Sequence, residues 1–543
     1  MGIFVRKPLA QLLHEAGHEG QSGLRRVLGP FSLVALGVGV IVGAGLFSIT
    51  GTVAAQYTGP AITLSFIIAA LGCAFAGLCY AEFASMIPVS GSAYTYAYAT
   101  MGELVAWIIG WDLVLEYSVA ATTVSISWSR YLVVFLEQFG IQLPHALTAC
   151  PWDGGVANLP AALIVCIMSV FLIRGTRESS LLNAVIVALK VGVILVFIVL
   201  GWQFIRTEKY HPYLPANTGN LGEFGWSGVL RGAAIVFFAF LGFDSISTTA
   251  QETKNPRRDM PIGILGSLLV CTILYTLFGH VMTGVANYQQ FGGHEGIAPV
   301  AIAIAQMGEG GAPAFPWLNN AILIAILMGY CSVIMVVLMS QSRVFLAMSR
   351  DGLLPPFFSR IHPRFHTPAH SNLLFMVLVA LLAAFVPAEI AGEMTSIGTL
   401  LAFILVCGAV LVMRRTMPDA PRAFRTPLVP AIPILGILTC LGLMIFLPAD
   451  TWIRLVIWMM IGQDIYAHYG LRRSHLEPNM ARRKGETIMN ALGIVLSLMC
   501  VVTGFWHQQT VGWNESKLLL IFSCLFALVH FVYYILRIWR HHA

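Results

Sequence analysis

The chain reads as an all-α polytopic membrane protein built from two related halves. Three observations carry that reading. First, 57% of its 543 residues are hydrophobic and only 10% are charged, against about 25% charged in soluble globular chains. Second, apolar runs of about 20 residues, the length that crosses a bilayer, recur from residue 31 to 537. Third, two of these runs are broken by glycine, one in each half: Gly37–Phe47, with Gly37, Gly39, Gly43 and Gly45, and Phe237–Asp244, with Gly242. Lipid cannot satisfy the backbone groups that an opened helix bares, so a break survives only where those groups line a cavity. Matching breaks in two halves point to the binding site of a secondary transporter.

Taken in order, a polar segment 1–30 precedes about fourteen spans: 31–56, 61–86, 101–138, 158–175, 180–205, 227–249, 261–286, 317–349, 371–387, 391–413, 430–449, 451–469, 487–506 and 516–537. The third holds no Pro or Gly cluster after Trp111 and is taken as one long tilted helix. Most of the 31 Lys and Arg fall in alternate loops, beginning with the N-terminal segment. The opposite loops hold only Arg206, Lys209 and Lys517. Basic residues are retained on the cytoplasmic side, which places both termini in the cytoplasm, including the tail 538–543. This placement also accounts for the net charge of +6 without invoking nucleic acid. Residues 31–205 and 227–413 each carry five spans and open with a break. Five is odd, so the second half enters from the other side as an inverted repeat. Residues 430–537 add four spans that read as a scaffold.

The two breaks differ in chemistry. Gly43-Ala44-Gly45 would end in free amides at the positive start of a half-helix, suited to a carboxylate. Carbonyls near Phe238, Ala239 and Leu241, among the rings of Phe237, Phe240 and Phe243, would accept from an ammonium, and aromatic faces tolerate cations. One donor set and one acceptor set fit a zwitterion, hence an α-amino acid. The glycine spacing of Gly37-x-Gly39-x-x-x-Gly43 lacks the strand and the downstream acid of a dinucleotide fingerprint; Gly37 and Gly39 suit close helix packing.

Lys190 lies about 15 Å into the fifth span at 1.5 Å per residue. A charge at such depth marks an ion or proton pathway by default, or pairs with Asp112, Glu116 or Asp244. Asp112 and Glu116 stand four apart on one helical face; Glu116 reaches the central cavity and Asp112 serves packing. Two polar stretches, Glu82–Tyr94 and Gln251–Pro261, read as inner gates or plain loops. No metal-ligand spacing, phosphate loop or nucleophile constellation is visible, so neither a cofactor nor bond-making chemistry is implied.

Several of these motifs occur together in one family. Gly43-Ala44-Gly45-Leu46-Phe47, Cys79-Tyr80-Ala81-Glu82-Phe83-Ala84 with Pro88–Tyr94, Gly110–Tyr117, Gly242-Phe243-Asp244, Lys254–Pro261 and Ala347–Leu354 resemble the amino acid–polyamine–organocation superfamily, and within it the cationic amino acid transporter family. The resemblance implies a LeuT-type 5+5 inverted repeat with broken helices 1 and 6, and alternating access. It implies a substrate carboxylate at Ala44 and Gly45, and an ammonium at the carbonyls of Ile41, Phe238 and Leu241. Glu116 would contact the site directly or through water. Lys190 would stand where sodium-coupled relatives hold an ion, and so would couple transport to protons. Tyr330 would line the side-chain pocket and favour small neutral over cationic substrates. Family members often carry Thr or Ser at the position of Ala44, so one hydroxyl donor is missing. The expectation is an L-amino acid transporter of the cell membrane, a proton symporter or else an exchanger, with an unknown small membrane partner possible. A channel lacks its continuous polar stripe, and a membrane enzyme its reactive groups.

Overall fold

The computed structural model describes residues 4–8, 28–43, 45–87, 91–174, 179–292, 299–308, 314–365, 367–474 and 482–542. Ala44, Pro88–Ser90 of the expected inner gate and most of the N-terminal segment lie outside them. The described residues are helical, with an isolated parallel bridge between Leu28 and Thr253 as the β-pairing.

The principal helices are α1 (Pro30–Ile41), α2 (Ile62–Met86), α3 (Glu103–Glu137), α4 (Leu159–Arg174), α5 (Ser179–Trp202), α6 (Gly225–Val236), α7 (Pro256–Val285), α8 (Pro316–Arg350), α9 (Ala369–Phe385), α10 (Ala388–Thr416), α11 (Ala431–Ile445), α12 (Ala449–Ile465), α13 (Arg482–Val511) and α14 (Trp513–His542). Proline begins α1, α7 and α8, where its missing N–H is no loss and its fixed φ suits the first turn. The long third segment is indeed one helix of 35 residues, α3. That is about 52 Å, well beyond a hydrocarbon core of about 30 Å.

Nine helical stretches among the described residues are long and apolar enough to cross a bilayer, or ten if α11 and the helix after it, bent by 115°, form one span. This is fewer than fourteen because of where stretches divide. Gly45–Met86 runs as one 42-residue stretch, although Gly59 turns the chain with φ +61°. Helices α1, α4 and α9 are apolar but shorter.

Helix α1 packs on α7, and α6 on α2; α3 packs on α10, and α8 on α5; α3 packs on α9, and α8 on α4; α5 packs on α7, and α10 on α2. Helices α11 and α12 rest against this bundle through α10, and α13 and α14 pack on each other and on α12. Three indoles fix α12 to α3. Trp107 Nε1 donates to the Gly462 carbonyl (3.0 Å), Trp111 Nε1 to Trp458 O (2.8 Å) and Trp458 Nε1 to Trp111 O (3.0 Å).

Candidate functional site

Both glycine-rich runs are open. Helix α1 ends at Ile41, Val42 is extended (φ −72°, ψ 101°), and helical structure resumes at Gly45 as a wide turn over Gly45–Ile49. In the second run, α6 tightens into a 3₁₀ turn over Phe237–Phe240. Leu241 is then extended (φ −60°, ψ 147°), and Gly242 turns back with φ +107°. Only glycine adopts that conformation without strain, so Gly242 ends the first half-helix and allows the next to start at Phe243.

The breaks face each other at contact distance. A Cβ placed on Gly45 would lie 2.3 Å from Ala239 Cα, and one on Gly242 would lie 2.4 Å from Val40 Cγ1. Beside the crossing is a cavity of about 30 Å³, lined by Ile41, Gly45, Glu116, Phe238 and Leu241 from the expected set, by Gly43 and Gly242 of the breaks, and by Val40, Tyr117, Ala120, Val124, Ser245, Val333 and Val337. Five of the eight expected substrate-contacting residues, Glu116 among them, therefore line one cavity. The remaining two described here, Ala239 and Tyr330, do not line it. Ala239 lies under Gly45. Tyr330 is fully buried one turn from Val333. Its hydroxyl is 3.1 Å from Ser48 Oγ, and its ring packs against Phe47 and Tyr131. Ala44 lies outside the described residues.

The carbonyls at the breaks already have partners in part. The Leu241 amide donates to Phe238 O (3.2 Å). The Tyr275 hydroxyl, from α7, lies 2.8 Å from Ile41 O and 2.9 Å from Ala239 O. A phenol has one proton, so at any moment it serves one of these two carbonyls and leaves the other open. Nothing in the local sequence of α7 signals this tyrosine.

Lys190 is fully buried. Its ammonium donates to Gly39 O and to Val42 O, the latter at 2.9 Å, so it closes the C-terminal end of α1, where a cation meets the negative end of the helix dipole. Its hydrogen-bond partners are these carbonyls rather than Asp112, Glu116 or Asp244. Asp244 accepts instead from the Tyr117 hydroxyl (2.5 Å). Asp112 is fully buried, with neither carboxyl oxygen hydrogen-bonded among the described residues, against Gly398 of α10. Glu82 is also fully buried. Arg422 Nε (3.1 Å), Arg414 Nη2 (2.9 Å) and the Thr426 amide (2.9 Å) all donate to its carboxylate, so it is a clamp between α2 and the end of α10 with the segment that follows it.

Two apposed helix breaks, a small apolar cavity between them and a buried lysine on one break define a multi-pass membrane protein of transporter architecture. Residues 28–463 match the amino acid permease family, and the chain belongs to that family, within the amino acid–polyamine–organocation superfamily. It is 44% identical over 480 residues to the branched-chain amino acid permease BcaP of Bacillus subtilis, covering 87% of this chain and 99% of that one. It is 40% identical over 476 residues to the methylthioribose transporter of the same organism, again 87% and 99%. It is 37% identical over 430 residues to the vacuolar cationic amino acid transporter 4 of Arabidopsis thaliana, covering 77% of this chain and 68% of that one.

Proposed function

We propose that the chain is a proton-coupled symporter of neutral aliphatic L-amino acids, working by alternating access around the two breaks. The observation that carries this is the contact of Gly45 with Ala239 beside a cavity whose walls include Val40, Ile41, Val124, Val333 and Val337. In this reading the amides at Ala44 and Gly45 hold the α-carboxylate. The ammonium takes whichever of the Ile41 and Ala239 carbonyls Tyr275 leaves open, with Phe238 O and Leu241 O adjoining. The apolar wall takes the side chain, in keeping with the name of the Bacillus branched-chain relative. Glu116 lies where it orders the ammonium or a bridging water. Lys190 carries the coupled proton: when protonated its ammonium holds the α1 carbonyls of Gly39 and Val42, and when it gives the proton up that hold is loosened. With about 30 Å³ between the walls, admission of an amino acid requires them to part, which suits a site closed on both sides in mid-cycle.

The helix pairing supports a 5+5 inverted repeat. Exchanging α1–α5 for α6–α10 turns each packing pair into its partner pair: α1 on α7 into α6 on α2, α3 on α10 into α8 on α5, α3 on α9 into α8 on α4. A two-fold relation between the halves has this consequence. We assign fourteen crossings, with each break and the helix leading into it forming one, a place in the plasma or inner membrane, and both termini in the cytoplasm.

The test is a thermal-shift screen of the purified protein against the twenty L-amino acids at two pH values, followed by uptake into proteoliposomes. A ligand stabilises by mass action, so leucine, isoleucine and valine should raise the melting temperature most. Uptake should rise with an inward proton gradient. Stabilisation by arginine and lysine alone would overturn the substrate class, and gradient-independent exchange would overturn the coupling.

A further inference from the structure

A cavity of about 120 Å³, four times the central volume, lies where α3 and α10 meet α12 and α13. Trp107, Trp111, Met459 and Met489 form much of its wall. Both indole N–H groups are spent on backbone carbonyls of α12, so the two tryptophans bring only ring surface to the space. One polar side chain lines it, that of Gln463, which is 4% exposed. Its amide nitrogen donates to Met489 O, whereas its Oε1 has no hydrogen bond among the described residues. A buried acceptor without a donor is costly, and this one borders a space that can hold the missing donor. No charged side chain is among the residues that line the cavity, so a zwitterion, a carboxylate or a phosphate finds no counter-charge there.

We infer that this cavity binds a neutral single-ring aromatic with one hydroxyl, whose O–H donates to Gln463 Oε1. The size fits, since an apolar cavity of roughly 150 Å³ takes a benzene ring. The lining fits, because rings pack edge-on or offset against indoles and thioether sulfur favours ring edges. The polar groups fit, one donor to one acceptor. A lipid chain would fill the space and leave Gln463 Oε1 unserved. Ile108, Leu401 and Leu492 on the wall are half-buried, so the occupant arrives from the bilayer. The cavity bears on the central one through α3. Ile108 lines the first and Glu116 the second, and Asp112 between them packs against Gly398 of α10. The three stand at four-residue intervals on one helical face. An occupant holds α12 and α13 against α3 and favours the state it fits, in which the central walls are close, and so slows transport. Binding is independent of the transporter reading above; only the effect on uptake rests on it.

The experiment is ¹⁹F NMR titration of the purified full-length protein with 4-fluorophenol and, in a second arm, with fluorobenzene, which has the ring but no donor. The wild type should bind 4-fluorophenol saturably and about three- to tenfold more tightly than fluorobenzene, the worth of one hydrogen bond. Gln463→Leu should bind the two equally. Leu492→Trp, which plugs the cavity from its half-buried wall, should bind neither, and Leu496→Trp serves if that variant fails to fold. In proteoliposomes 4-fluorophenol should lower kcat for leucine by at least about twofold with KM within about twofold, and should have no effect on Leu492→Trp. Absence of saturable binding, or equal binding of the two ligands by the wild type, would overturn the site and leave a space for lipid chains. Binding that survives in Leu492→Trp and is lost in Gly45→Leu would place the ligand at the breaks and overturn it as well. Saturable, donor-dependent binding by a protein that takes up no amino acid would uphold this site and sink the transporter reading alone.

Discussion

Gly45→Ala places a methyl group where the two breaks touch. Its carbon would lie 2.3 Å from Ala239 Cα, 2.5 Å from Ala239 Cβ and 2.9 Å from Ala239 N. Carbon atoms rest about 3.5–4.0 Å apart, so the strands of the two breaks must separate by about 1 Å. Two of the three obstructing atoms are main chain and cannot rotate away. Overpacking of this kind costs about 1–3 kcal/mol. The larger effect should be on transport, because a shift of about 1 Å in groups that hold a reacting or bound molecule costs on the order of 100-fold. Uptake of labelled leucine into proteoliposomes should fall by roughly that factor, while size-exclusion behaviour in detergent stays that of the wild type. Adding Ala239→Gly removes the Cβ clash but leaves Cα and N in place, so rescue should be partial. A Gly45→Ala protein with wild-type KM and rate would refute the apposition of the breaks and the binding site built on it.

Three further outcomes follow from the same geometry. Tyr275→Phe removes the hydroxyl shared by Ile41 O and Ala239 O; a buried acceptor left unserved costs about 1–3 kcal/mol, so the melting temperature in detergent should drop, and an unchanged one would mean that the carbonyls have other donors. Glu82→Ala leaves Arg422, with a side chain 1% exposed, and the nearby Arg414 facing no anion; breaking a buried pair costs about 3–5 kcal/mol, so this variant should lose more thermal stability than any other proposed here, and near-wild-type melting would show the clamp to be idle. Lys190→Met keeps a stem of similar length but withdraws the donor from Gly39 O and Val42 O; uptake should lose its dependence on the proton gradient, and a retained pH dependence of wild-type size would remove Lys190 from the coupling.

The features legible in the sequence are those that local chemistry decides. Gly43, Gly45 and Gly242 in apolar surroundings allow little but an opened helix facing a cavity, and both runs are open. The missing features are those in which the partner is distant in sequence. Tyr275 meets Ile41 across 234 residues, and Glu82 meets Arg422 across 340. Neither pairing leaves a periodic trace, because each depends on how helices that are themselves plain apolar segments cross. Glu82 read as the start of a gate for the same reason: its own segment is rich in turn residues, while the arginines that hold it stand in the last turn of α10 and just after it.

Lys190 shows the difference most sharply. Counting side chains in the sequence suggests a carboxylate partner, since Asp112, Glu116 and Asp244 are all buried in the same bundle. The structure gives the ammonium two carbonyls that exist as acceptors only because α1 stops at Ile41. The break therefore creates the binding place for the cation as well as the space for the substrate, and one backbone event near residue 42 sets both. It follows that a change restoring helix through Val42 and Gly43 would disturb the lysine and the cavity together. The double replacement Gly43→Ala, Gly45→Ala should weaken leucine binding and proton dependence in step. If the two responded separately, the lysine and the substrate would not be held by the same opened turn.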